Sequence, residues 1–471
     1  MSLNSLGYII LFMIILVVYY LIPVRFRVCL LAVSSIGFYV LWGIPALCGL
    51  LAVTVITYAS ASIMSAMQDK QGERKAVLGI TVLLIAGILS VFRVLPQGSI
   101  IVPVGISFFS LQALGYVVDV YKGKVSAENN FIRYLLYVSF FPTVTSGPIQ
   151  RSDILLAQIN KDKEFGYDRV RSGLLMMAYG LFAKNFVADR LGLLVDRAYS
   201  GYETQTGFVL MLGVIIYAFQ LYCDFMGYSC IALGSAMALG FELPDNFRQP
   251  YFAASVKEFL GRWHISLSVW LRDYIYFPLG GSRKGRAKTL INIAIVFLVS
   301  GIWHGRGLTF LVWGLLHGVF RIFDELTLKR REEMISGSRN RVVKILLKGL
   351  CIILTFLAVD FAWLFFRAES LQTAIVIVRR IFTENAALYS LQNGLYTFGL
   401  SKKELAVWFA GLLFVVAVDL LHEKGIRISD RISRCNIILR WSLYIAFVLF
   451  ILASGIYYYG YSAQTFIYSG F

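Results

Sequence analysis

Charge is scarce in this chain of 471 residues: 15% are Asp, Glu, Lys or Arg, against 58% apolar. Five stretches, 1–24, 28–68, 94–118, 134–150 and 441–471, hold no charged residue at all. A helix crosses the hydrocarbon core with about 20 mostly apolar residues. Runs of this length exclude an ordinary soluble domain. They are continuous rather than alternating, which also excludes a membrane β-barrel. The chain is therefore expected to be an all-α, polytopic integral membrane protein.

Other absences narrow the chemistry. Six cysteines are scattered without a CxxC pair, five of them in or beside apolar runs, so neither a disulfide framework nor a thiolate zinc site is expected. No HExxH or HxxxH occurs, and no metal site is expected. There is no Walker A loop and no dinucleotide fingerprint, which leaves ATP-driven transport and hydride transfer without support. A G-x-S-x-G elbow is missing too; Val104-Gly105-Ile106-Ser107-Phe108 has one of the two glycines. Ahead of Pro23 there is no basic n-region and no small-x-small cleavage site, so the first apolar run is expected to be a retained helix.

The net charge of +17 first suggests nucleic acid. The bases, however, fall in short connections between apolar runs: Lys70, Arg74 and Lys75; Arg151 to Arg171; Lys329 to Lys344; Lys424 to Arg434. That is the positive-inside pattern, in which bases face an anionic cytoplasmic leaflet. Membrane lipids, and no nucleic acid, are the expected partners on this ground.

Candidate spans fall at about 5–22, 28–43, 46–66, 77–95, 103–120, 131–149, 173–198, 207–223, 225–241, 289–303, 307–323, 347–366, 404–421 and 440–460. About 11–14 of these are expected to be transmembrane or re-entrant. Pro142 and Gly147-Pro148 break the run 131–149, which makes it the re-entrant candidate. Residues 243–288 mix aromatics with charges and are expected to form amphipathic or re-entrant pieces at the cytoplasmic interface, ending in a Pro278-Leu279-Gly280-Gly281 turn. The polar linkers near 151–172 and 324–346 are too short to bury cores of their own, so a single membrane domain over 1–471 is expected, with 461–471 as an aromatic tail.

What is present is concentrated in 262–318, which carries three of the four histidines. Histidine moves protons near neutral pH, and ionisable groups within membranes are costly and mostly functional. His304 ends an uncharged run, 289–303, and is followed by Gly305-Arg306-Gly307, where a helix unwinds and another group can approach closely. It is the candidate general base for an attacking hydroxyl; the competing reading is a histidine bonded to a carbonyl between helices. His264 reads equally as a second acid/base or substrate ligand, or as an interfacial histidine bonded to backbone. His317 lies 13 residues after His304, about 220° around a continuous helix, so packing is expected unless the glycines bend the chain. His422 opens a basic loop and is expected to be solvated. Asp119, Asp224, Glu242, Asp360 and Asp419 in or beside apolar runs leave a proton-coupled secondary transporter as the alternative of another class.

Several stretches together carry a family resemblance. RWHISLSVWLRDYIYFPLGGSRKG (262–285) and GIWHGRGLTFLVWGLLHG (301–318) are joined upstream by VPVGISFFSLQALGYVVDVYKG (102–123), FFPTVTSGPIQR (140–151) and YCDFMGYSCIALGSAMALGFELPDNF (222–247). The chain resembles the membrane-bound O-acyltransferases, in the bacterial branch that holds alginate O-acetylation proteins with their peptidoglycan and D-alanyl relatives. The resemblance implies a ring of helices around a catalytic tunnel, with a multi-pass location in the bacterial inner membrane. It implies an acyl thioester donor as substrate, acetyl-CoA or an acylated carrier protein, and no bound cofactor. It implies transfer of an acyl group, acetyl foremost, to a cell-surface polysaccharide with an extracytoplasmic SGNH-type acetyltransferase as partner; D-alanyl transfer to teichoic acid is the alternative within the family.

By the same resemblance His304 matches the family's invariant histidine and His264 its second site position. Trp303, Arg262, Asp273, Tyr276 and Asn292 are implied as tunnel or substrate-binding residues. The ending Phe466-Ile467-Tyr468-Ser469-Gly470-Phe471 is similar to the branch's terminal aromatic motif, with Ser469 departing from the usual Phe. Tyr468 is thereby implied as a transient acyl acceptor, against the plainer reading of an interfacial aromatic.

Overall fold

Proline, glycine and small capping side chains set where each apolar run starts and stops. The computed structural model describes residues 1–67, 69–94, 104–384 and 402–454. Helices α1 (Leu6–Leu21) and α2 (Val24–Val40) are divided at Pro23, which holds Ile22 extended. Ser5 caps α1 by accepting from the Tyr8 N–H. Then follow α3 (Ile44–Ala66), with Pro45 in its first turn, α4 (Gln71–Val94), α5 (Ile106–Tyr121) and α6 (Phe131–Ser139), the last capped by Asn130.

After a short α7 (Ala157–Ile159), α8 (Tyr167–Leu181) runs through a π-helical stretch Phe182–Ala188 into α9 (Asp189–Ser200). The longest helix, α10, covers Gly207–Ala238, followed by short α11 (Val256–Leu260) and α12 (Ile265–Leu271). Then come α13 (Arg286–His304), α14 (Leu308–Gly337), α15 (Arg341–Arg367) and α16 (Leu371–Thr383). The described chain closes with α17 (Lys402–Glu423), α18 (Ile428–Ser433) and α19 (Ile437–Ser454). Among the described residues there is no strand.

Seven described helices, α3, α4, α10, α13, α15, α17 and α19, are long and apolar enough to cross a membrane, and α1 and α5 are shorter apolar helices. The expected pair 207–223 and 225–241 is one helix instead. Asp224, between the two expected spans, is paired in place: Lys184 Nζ lies 2.5 Å from its carboxylate and 2.7 Å from that of Asp189. A paired charge does not force the chain out of a buried helix.

One compact unit comprises residues up to Leu181 together with Tyr228–Asp245. Here α6 ends at Ser139, and 140–150 is non-helical yet buried throughout. Its polar backbone finds side-chain and backbone partners, as buried backbone must. The Phe141 N–H donates to Ser35 Oγ, the Gln150 N–H to Gln112 Oε1, and the Tyr137 hydroxyl to the Gln150 carbonyl. In the same unit α8 and α10 meet at Gly173 and Gly234, where a Cβ on Gly173 would stand 2.6 Å from the Gly234 carbonyl.

The second unit contains Phe182–Gly227 and the described residues from Asn246 onward. Within it, the part of the aromatic- and charge-rich segment from Asn246 onward contributes a 3-10 turn Pro250–Phe252, α11, α12 and a π-helical turn Arg272–Tyr276. Helices α13 and α14 form an antiparallel hairpin at Gly305–Gly307. Its backbones nearly touch: a Cβ on Gly314 would lie 2.5 Å from the Phe297 carbonyl and 3.0 Å from Gly301 Cα.

Candidate active site

Three histidines of the second unit are buried: His264 at 3% exposure, His304 at 3% and His317 at 1%. His304 is the last residue of α13. Its Nδ1–H donates to the Ser300 carbonyl oxygen at 2.7 Å, with Ser300 Oγ farther off at 3.5 Å. A carbonyl oxygen only accepts, so this bond selects the tautomer protonated at Nδ1 and leaves the lone pair on Nε2. The C-terminal end of a helix carries partial negative charge, which favours an imidazolium formed there.

His264 is held in a different way. Its backbone is left-handed, φ 43° and ψ 54°, a conformation few non-glycine residues adopt. Strain of this kind persists where surroundings over-determine it, and it clusters at functional sites. The surroundings are Asn246 and two aromatics. Asn246 Oδ1 accepts from the Ser266 N–H (3.3 Å) and hydroxyl (2.9 Å), which orients the amide oxygen toward His264 Nδ1 at 3.2 Å. Nδ1 is thus the donor, and the lone pair of His264 also sits on Nε2. The ring meets Phe225 edge-on at 4.7 Å.

Trp303 joins the two rings, with its centroid 4.7 Å from His304 and 6.3 Å from His264. Trp313 (4.5 Å) and Phe366 (5.7 Å) complete the aromatic wall around His304. The hairpin accounts for His317, which a continuous helix would have placed on the far side. Because the chain turns back at Gly305–Gly307, Trp313 reaches His304 at 4.5 Å, and His317, one turn further along α14, rests on the same Trp313 at 4.9 Å.

The other residues singled out from the sequence occupy varied settings. Asn292 is fully buried, and its amide donates to the Gly281 carbonyl at 2.9 Å, pinning the Pro278–Gly281 turn where Gly280 and Gly281 have φ of 108° and 57°. Arg262 is engaged by Glu258 (2.7 Å) and Glu423 (2.6 Å). Asp273 pairs with Arg272 at 2.9 Å, and the Tyr276 ring packs near Phe277 at 5.9 Å. Tyr468 and the tail 461–471 lie outside the described residues. Asn246 and Ser300 had no sequence signal of their own: one is a lone amide in an interfacial loop, and the other acts through its backbone.

The buried acids are largely matched. Besides the Asp189–Lys184–Asp224 cluster, Asp119 lies 3.5 Å from Lys124 and 3.9 Å from Arg151, and the Tyr222 hydroxyl donates to Asp419 at 2.8 Å.

The family model of the membrane-bound O-acyltransferases matches residues 34–366. The chain is similar to a protein named "probable alginate O-acetylase" from Pseudomonas fluorescens, 34% identical over 400 residues, covering 84% of this chain and 78% of that one. It is similar to the peptidoglycan O-acetyltransferase of Helicobacter pylori, 34% identical over 311 residues, 59% of this chain and 56% of the relative. The teichoic acid D-alanyltransferase of Bacillus subtilis is 27% identical over 246 residues, 48% of this chain and 59% of the relative. With the buried imidazoles, the all-helical architecture of the described residues and these matches in agreement, the chain belongs to the membrane-bound O-acyltransferase family and is a multi-pass membrane O-acyltransferase.

Proposed function

We propose that this protein transfers an acyl group, acetyl foremost, from a cytoplasmic thioester donor to hydroxyls of a cell-surface polysaccharide, working in the bacterial inner membrane. The observation that carries the reading is the His304 imidazole, locked with its proton on Nδ1 by the Ser300 carbonyl at the end of α13. A thioester is already activated, so the protein has to align it with a hydroxyl, remove one proton and steady the developing oxyanion. His304 Nε2 accepts the hydroxyl proton as the oxygen attacks the carbonyl carbon. The tetrahedral species collapses, the C–S bond breaks, and the imidazolium returns its proton to the departing thiolate.

His264, presented by Asn246, is the second polar contact for the substrates, and Trp303 is the wall that both imidazoles share. Asn292, Arg262, Asp273 and Tyr276 act around this centre, Asn292 by holding the glycine turn and Arg262 by tying α11 to α17. The donor is acetyl-CoA or an acylated carrier protein, with no bound cofactor, and an SGNH-type transferase outside the membrane completes delivery. Tyr468 is proposed as the relay that carries the acyl group to that partner; full transfer activity in Tyr468→Phe would remove it from the scheme. The acetyl reading is preferred over D-alanyl transfer because the acetylase relative matches 84% of this chain and the D-alanyl relative 48%.

The test is release of acetyl from labelled acetyl-CoA by purified protein in detergent or vesicles, comparing wild type with His304→Ala. Turnover in wild type that collapses in a folded His304→Ala supports the donor and the base together. Turnover by neither moves the donor to a carrier-bound or aminoacyl thioester. Equal turnover by both removes His304 from the chemistry.

A further inference from the structure

Beside the base lies a pair of polar side chains that the reaction above does not use. His317 is 1% exposed and Trp313 6% exposed, and their rings meet edge-on at 4.9 Å. Among the described residues, neither ring nitrogen of His317 nor the indole Nε1 of Trp313 has a hydrogen-bond partner. What surrounds them is aromatic: Phe259 and Phe297 lie parallel to the imidazole at 6.4 and 6.2 Å, and Trp363 stands 5.8 Å away. The same Trp313 ring touches His304 at 4.5 Å, so one indole connects the base to this second imidazole.

Burying hydrogen-bonding groups without partners destabilises a fold, and native structures do it rarely. Leucine or phenylalanine at position 317 would satisfy this aromatic setting better than histidine does. Among the described residues nothing supplies these polar atoms with a partner. An indole N–H only donates, and a neutral imidazole offers one N–H and one lone pair. Two N–H donors in apolar surroundings, next to a base, suit an oxygen that becomes negative during reaction.

We propose that His317 and the Trp313 Nε1–H are the hydrogen-bond donors that receive the carbonyl oxygen of the transferred acyl group. The inference rests on His304 acting as the base. As the hydroxyl oxygen bonds to the carbonyl carbon, the carbonyl π pair moves onto that oxygen, and the two donors hold it. The pair returns to re-form the carbonyl as the C–S bond breaks, and His304 protonates the thiolate. No further reactant is required.

The experiment compares acetyl-CoA turnover in wild type, His304→Ala, His317→Leu, His317→Gln and Trp313→Phe, with thermal unfolding of each. Removing one such donor is expected to lower kcat by about 10²–10³-fold. KM for acetyl-CoA should stay near wild type, because the contact strengthens only in the transition state. His317→Gln, which keeps an N–H donor, should recover much of the loss. The unfolding midpoint of His317→Leu should equal or exceed that of wild type, and the pH inflection of kcat should not move in Trp313→Phe.

Wild-type kcat in folded His317→Leu and Trp313→Phe overturns the proposal. So does a midpoint that falls in step with activity, or a His317→Gln as inactive as His317→Leu. If His317→Leu does not fold, the near-isosteric Trp313→Phe decides by itself. Turnover that survives in His304→Ala instead strikes the reading of the base, and so separates the two failures.

Discussion

His304 Nδ1 and the Ser300 carbonyl oxygen, 2.7 Å apart across one turn of α13, decide which nitrogen of the imidazole can act as a base. Because a backbone carbonyl supplies the bond, no side-chain substitution at Ser300 abolishes it. Ser300→Ala should therefore keep activity within about threefold, since only a weak 3.5 Å hydroxyl contact is lost. His304→Ala should lose about 10²–10⁴-fold, the usual worth of a general base. Measuring kcat for both variants in one membrane preparation checks this; a Ser300→Ala as damaged as His304→Ala refutes the backbone assignment.

Asn246 holds His264 through a single oxygen that also accepts twice from Ser266. Asn246→Leu should strand those donors in a buried site, at a cost of about 1–3 kcal/mol for the unsatisfied groups. Asn246→Asp keeps the acceptor and should retain more activity than Leu. Thermal unfolding together with turnover separates the two effects, and indistinguishable Asp and Leu variants would count against the bond.

The α13–α14 hairpin depends on the absence of side chains at its crossing. A Cβ at 314 would fall 2.5 Å from a backbone oxygen, and one at 305 would fall 2.2 Å from the Phe310 ring. Gly314→Ala should destabilise by about 1–3 kcal/mol, as overpacking does, and should lower activity by separating His304 from Trp313. A variant with unchanged unfolding midpoint and kcat would show that the helices move apart freely.

Lys184 sits between Asp189 and Asp224 with all three side chains buried. Lys184→Met should cost about 3–5 kcal/mol by leaving buried carboxylates without their cation. Adding Asp189→Asn and Asp224→Asn should restore much of that loss. Expression and thermal unfolding of the single and triple variants provide the test; a Lys184→Met as stable as wild type would mean the carboxylates are neutralised by other means.

Much of the architecture was readable along the chain because lipid imposes a simple rule. Apolar runs become helices, and Pro23, Pro45 and the glycines around 305 mark their ends. The rule divided 207–241 into two spans on either side of Asp224, where the helix in fact continues, since the lysine that pairs with this acid comes from a different helix. For His317 the angle of a continuous helix gave opposite faces unless the glycines bent the chain; the turn at Gly305–Gly307 does bend it, bringing Trp313 onto His304 with His317 one helical turn beyond.

Length, sparse charge, the distribution of bases and the histidine-bearing motifs determined, with no coordinates, that this is a helical membrane protein, and they marked out His304 and His264. Those properties are local: they depend on what each residue is and on its neighbours in the chain. Tertiary structure alone decided the tautomers of the two imidazoles, the left-handed backbone of His264, the part of Asn246, and the place of Trp363 beside His317. Each of these depends on a partner distant in sequence or on a backbone oxygen that has no residue identity.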